Sequence, residues 1–104
     1  MGWTYLFIAA AFEICWAIGL KYTNGLRNPI ATLFTLVTML SSFWFLAQSI
    51  ANRVPLGTAY PVWTGIGAVG TFIAGLALFD ETATTLRCVG CLLIVTGVVA
   101  LKYA

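Results

Sequence analysis

The chain has 104 residues, 62% hydrophobic and 8% charged, with no histidine. A soluble domain carries about 25% charged residues, so this composition, with a mean hydropathy of +1.01, excludes a water-soluble globule and describes an all-α membrane protein. A net charge of +2 provides none of the basic patch or stripe that a nucleic-acid partner requires.

At roughly 20 residues per span, the length accommodates about four transmembrane helices in a single domain, residues 1–104. The first apolar run covers residues 3–20 and is interrupted only by Glu13. No basic segment precedes it, so no cleaved signal peptide is expected. Residues 21–29 form a polar connection, with Asn24-Gly25 as a turn signal and Pro29 as a restart signal. The second span, residues 30–51, carries no charge, and 52–57 connect it to the third, 58–79. Residues 80–85 lead to the last span, 86–102, whose Arg87 and Lys102 can snorkel outward. Trp3, Tyr5, Tyr22 and Tyr103 fall near span ends, where aromatic rings favour the interface. Four such short helices make too thin a wall to enclose a polar pathway, which points to an oligomer.

Four spans put both termini and the second connection on one side, with Arg53 and Lys102; the other side holds Lys21, Arg27 and Arg87. Lys/Arg asymmetry orients membrane proteins, and here it amounts to one charge. Two outcomes follow: one weakly preferred topology, or dual topology with copies inserted both ways and paired antiparallel.

Glu13 is the informative residue. About ten residues into its helix, it lies roughly 15 Å deep, near the midplane of a ~30 Å hydrocarbon core. An acid there is costly and marks an ion or proton pathway by default. No basic residue is placed at comparable depth, which excludes an ion pair within one chain. The remaining alternative is a permanently protonated acid bonded between helices. Ala9, Trp16 and Ala17 share its face. On the second span Thr35, Thr38, Ser42 and Ser49 recur at helical spacing, as do Tyr60, Trp63, Thr64 and Gly67 on the third. The hydroxyl stripe serves either as interhelical glue or as part of the site. Tyr60 and Trp63 need acceptors for their O–H and N–H, and Glu13 is the expected anion.

Gly65-Ile66-Gly67-Ala68-Val69-Gly70 spells GxGxxG, but a nucleotide site needs a preceding strand and a soluble βαβ context. Inside an apolar span the glycines are either a bending point or close packing. Cys88 and Cys91 are two ligands short of a metal site and read as small apolar residues. No metal, cofactor or enzymatic activity is expected: there is no histidine and no nucleophile–base pair. Gly90 and Gly97, a heptad apart, form a small-residue seam suited to dimerisation. Pro61 lies in the first turn if the third helix starts near Thr58, and interrupts its hydrogen bonds if the helix starts earlier.

Together these features resemble the small multidrug resistance family across essentially the whole chain: four short spans, Glu13 in the first, the run Gly57 to Ala68, and the Gly90–Gly97 seam. Phe12-Glu13-x-x-Trp16-Ala17-x-x-Leu20-Lys21 and Trp63-Thr64-Gly65-Ile66-Gly67-Ala68 look like its guanidinium-exporter branch. The resemblance implies an antiparallel, dual-topology homodimer in the bacterial inner membrane that exports guanidinium in exchange for protons. Glu13 of both copies would bind substrate or protons, and Trp16, Ser42, Tyr60 and Trp63 would form the surrounding hydrogen-bond network. Gly65 and Gly67 would be the hinge, and Gly90 and Gly97 the dimer seam. Pro61 in place of the usual Ala, Cys15, and the stretch 42–48, which is more like the quaternary-ammonium branch, depart from that pattern. Rival expectations are export of quaternary ammonium or other hydrophobic cations, and a non-transporting or heterodimeric subunit.

Overall fold

The computed structural model describes all residues, 1–104. It contains four helices, each long and apolar enough to cross a membrane: α1 (Gly2–Tyr22), α2 (Pro29–Ala51), α3 (Leu56–Leu78) and α4 (Thr85–Lys102). Local chemistry explains most of their ends. Asn28 caps α2, its Oδ1 accepting from the Ile30 and Ala31 N–H groups at 3.2 and 3.3 Å, with Pro29 in the first turn. Both residue types suit a helix start, because Asn satisfies otherwise unpaired donors and Pro has no N–H to satisfy. Thr84 caps α4 in the same way, accepting from the Arg87 N–H at 3.2 Å. Between α1 and α2 the chain reverses through Asn24, Gly25 and Leu26, all with positive φ.

Helix α3 begins at Leu56, after Pro55. Pro61 is therefore inside it. Having no N–H, it leaves the Gly57 carbonyl without its i+4 partner. Gly57 is exposed, with no side chain near the place where a Cβ would stand.

Helix α1 is the centre of the protomer and packs along both α2 and α3. Phe12 of α1 stacks on Phe45 of α2, ring centroids 5.6 Å apart. The buried apolar residues Leu6, Ala9, Ala10, Val54, Ala59, Val62 and Trp63 form one cluster. All lie on the early turns of α1 and α3 and the connection before α3, so the core occupies the half of the protein nearest the termini. Helix α4 is peripheral: its backbone approaches α3 alone, and no residue on it is buried. Nothing stands within 4 Å of where a Cβ would be built on Gly90 or Gly97. The molecule is a slab, 39 × 34 × 16 Å.

Candidate functional site

The site is assembled where α1, α2 and α3 meet at the inner edge of the core. The Ser42 hydroxyl of α2 donates to the Ala9 carbonyl of α1 at 2.6 Å. In turn it accepts from Trp63 Nε1 of α3 at 2.9 Å. One fully buried side chain thus joins three helices. Ala9 lies four residues before Glu13, so its carbonyl is the intrahelical partner of the Glu13 N–H; a carbonyl has two lone pairs and serves both donors. The relay therefore braces the backbone that carries the acid.

Glu13 itself is half-buried, with its carboxyl seated on Gly67 of α3. A Cβ on Gly67 would stand 2.5 Å from Glu13 Cδ and 2.7 and 2.8 Å from its two oxygens. Only glycine gives the carboxyl this seat. Glu13 Oε2 is buried and accepts no hydrogen bond from the chain. Trp16 Nε1, one turn along α1, is likewise buried and donates to nothing. An unpaired acceptor and an unpaired donor thus lie one turn apart on the same helix. Burying either unsatisfied costs about 1–3 kcal/mol, a cost that a cation with N–H donors and a second polar group would offset.

The remaining residues expected at the site divide. Trp63 is buried but donates to Ser42 rather than Glu13, because Ser42 stands on the facing helix at its height. Tyr60 is 55% exposed, its ring 5.6 Å from that of Trp63; its carbonyl accepts from the Thr64 hydroxyl at 2.9 Å, but its own hydroxyl bonds nothing in the chain. The α2 stripe of Thr35, Thr38, Ser42 and Ser49 is buried throughout, but Thr35 and Thr38 donate to carbonyls of their own helix. Only Ser42 reaches across. Gly65 is pressed against Val98 and Ile94 of α4, with 2.6 Å between a built Cβ and Val98 Cγ2. In this conformation both glycines of the expected hinge are therefore also close-packing positions, one against the acid and one against α4. Sequence reasoning missed Ala9 as the acceptor and Gly67 as the seat of the carboxyl.

Ser42→Ala is expected to destabilise the protein by about 1–3 kcal/mol, since it strands the buried Trp63 N–H. Thermal unfolding in detergent checks this against Ser41→Ala. Ser41 bonds only the Val37 carbonyl of its own helix, and its loss should cost little.

The arrangement is an acid within an apolar spanning helix, one turn from the unpaired Trp16 N–H and without an ion-pair partner. A family model described as Small Multidrug Resistance protein matches residues 1–94. The chain belongs to the small multidrug resistance family. Among curated relatives of this small multidrug resistance protein is a protein of Yersinia pestis named guanidinium exporter, 46% identical over 104 residues, covering 100% of this chain and 99% of the relative. Proteins of the same name from Proteus vulgaris and Escherichia coli K12 are 43% identical over 104 residues and 44% identical over 102. They cover 100% and 98% of this chain, and 99% and 96% of their own lengths. With four apolar spanning helices, this membership makes the small multidrug resistance protein an integral, multi-pass transporter of the bacterial inner membrane.

Proposed function

We propose that this protein is a guanidinium exporter driven by proton exchange, working as an antiparallel homodimer of two copies inserted in opposite orientations. The observation that carries this reading is the half-buried Glu13 carboxyl on Gly67, whose Oε2 is buried and unpaired. Guanidinium is planar and cationic, and its parallel N–H donors match the two oxygens of a carboxylate in a fork geometry. Trp16 and Trp63 give the site bulk and aromatic faces for a small cation. Protons and guanidinium compete for the same carboxyl, so the gradients of the two are coupled without further machinery.

The dimer supplies a second Glu13 and the rest of the wall. Helix α4, with Gly90 and Gly97 bare and no residue buried, is the surface that a second copy would cover. In that assembly Tyr60 and Trp16 complete the hydrogen-bond network around the paired acids. Gly65 and Gly67 form the region where α3 bends as access alternates between the two faces.

Proteoliposome currents test the function. Guanidinium is expected to carry current that a proton gradient drives; currents from tetra-alkylammonium ions without guanidinium currents would move the protein to the quaternary-ammonium class of substrate. Reporter tags at Ala104 test the orientation. Signals are expected from both membrane faces, and a signal from one face by a protein active on its own would overturn the antiparallel arrangement.

A further inference from the structure

The seam between α1 and α3 does not end at Glu13. Glu13, Ala17 and Lys21 fall on one stripe of α1, and Gly67, Thr71 and Gly75 on one stripe of α3. Eight residues at 1.5 Å each carry the seam about 12 Å beyond the acid, to the membrane face away from the core. There Ala17, Lys21, Thr71, Gly75, Phe79 and Glu81 border a cavity of about 340 Å³. That volume exceeds the share of several water molecules, about 30 Å³ each, so a cation of four heavy atoms fits with solvent to spare.

Glu81 reaches this cavity by a deliberate turn of the chain. Asp80 adopts a φ of +52°, a left-handed conformation that Asp tolerates better than most residues. The turn brings the Glu81 N–H back to the Gly75 carbonyl at 3.2 Å. The Glu81 carboxyl then lies on Gly75 much as Glu13 lies on Gly67: a Cβ on Gly75 would overlap Glu81 Oε1 and stand 2.9 Å from Cδ. The seam thus has a carboxyl seated on a glycine at each end, with Thr71 between Gly67 and Gly75 on α3. Lys21, the basic residue of the cavity, has its Nζ 5.4 Å from the centroid of the Phe79 ring. Of the other basic residues on this face, Arg87 is bonded to the Thr82 carbonyl at 3.0 Å.

The geometry points to an outer cation site at Glu81, which a small organic monocation of the guanidinium class occupies on its way between the membrane face and Glu13, in competition with the Lys21 ammonium. This inference rests on the export reading above. Its physical content is simple. Lys21, Arg27 and Arg87 outnumber Asp80 and Glu81 on this face, and the Glu81 carboxylate on the seam makes it locally favourable to a cation. Lys21, on the aromatic face that a cationic guest would also use, is the resident competitor. Charge of this kind changes the rate of association rather than the chemistry at the inner carboxyl.

The test is the half-saturating guanidinium concentration of proteoliposome currents from the full chain, at low and high ionic strength. At low salt Glu81→Gln is expected to raise it roughly three- to tenfold, and Lys21→Gln to lower it. Gly75→Ala, which pushes the carboxyl off its seat, should reproduce Glu81→Gln. All three effects should shrink near 1 M salt, where the screening length is about 3 Å. A merely structural role for the loop would move Glu81→Gln and Lys21→Gln in the same direction and would not respond to salt. If the wild type carries a guanidinium current that Glu13→Gln abolishes, but Glu81→Gln and Lys21→Gln both match the wild type, the outer site is overturned and the export reading stands. If the wild type carries no such current, the export reading fails and this inference with it.

Discussion

Glu13→Gln is expected to abolish proton-driven guanidinium uptake. The amide keeps the volume of the side chain, so the packing against Gly67 survives and the variant should fold. What changes is chemistry. One of the two acceptor oxygens becomes an NH₂ donor, and the negative charge is lost. Removing one partner of a buried, hydrogen-bonded charge pair costs about 2–5 kcal/mol, which is roughly thirtyfold to several thousandfold in affinity at 1.4 kcal/mol per tenfold. Coupling fails as well as binding, since the amide takes up no proton with which guanidinium could compete. The measurement is uptake or current in proteoliposomes under an imposed proton gradient, with melting temperature as the folding control. Retained proton-driven transport in a well-folded Glu13→Gln variant would place the exchange elsewhere in the protein.

Gly67→Val should come close to the same loss without touching a titratable group. Even the first added carbon would stand 2.5 Å from Glu13 Cδ, and valine adds two more on a stiff, branched side chain. Either the carboxyl leaves its seat or α1 and α3 separate. Overpacking of this kind costs about 1–3 kcal/mol, a strain a helical protein of this size survives. Transport is expected to fall at least about tenfold, because a displacement near 1 Å at a binding constellation costs about that or more. Gly57→Ala is the control: no atom of the chain lies within 4 Å of that added carbon. Equal effects from the two substitutions would mean that the close seat of the carboxyl on Gly67 is not what transport depends on.

Much of this was legible from residue types alone. A lone acid in an apolar run identifies itself, because placing a charge there is costly and few structural reasons offset that cost. Asn28-Pro29 marks the start of α2 by its capping chemistry. Other features were not legible, for physical reasons that can be named. Periodicity gives the face on which Trp63 lies but not the height at which α3 stands against α2, and that height hands its N–H to Ser42 instead of Glu13. A hydroxyl stripe looks uniform in sequence, yet Thr35 and Thr38 turn back to their own helix while Ser42 crosses. Gly67 in GxGxxG suggests a hinge, and nothing local reveals that a carboxyl from another helix rests on it. Glu81 is a loop acid in the sequence; only the positive φ at Asp80 carries it onto the seam.

The bare fourth helix has a consequence for abundance. Three helices find their packing within their own chain, whereas α4 has no buried residue, and in the proposed dimer a second copy would supply the contacts it lacks. The proposed working unit of two chains would form in proportion to the square of the number of free chains, so the equilibrium would penalise scarcity. A cell making a tenth as much of this protein would hold, in the dilute limit, about a hundredth as many active pairs. On the proposed dimer, expression level would itself be a control on export, steeper than the gene dose that sets it.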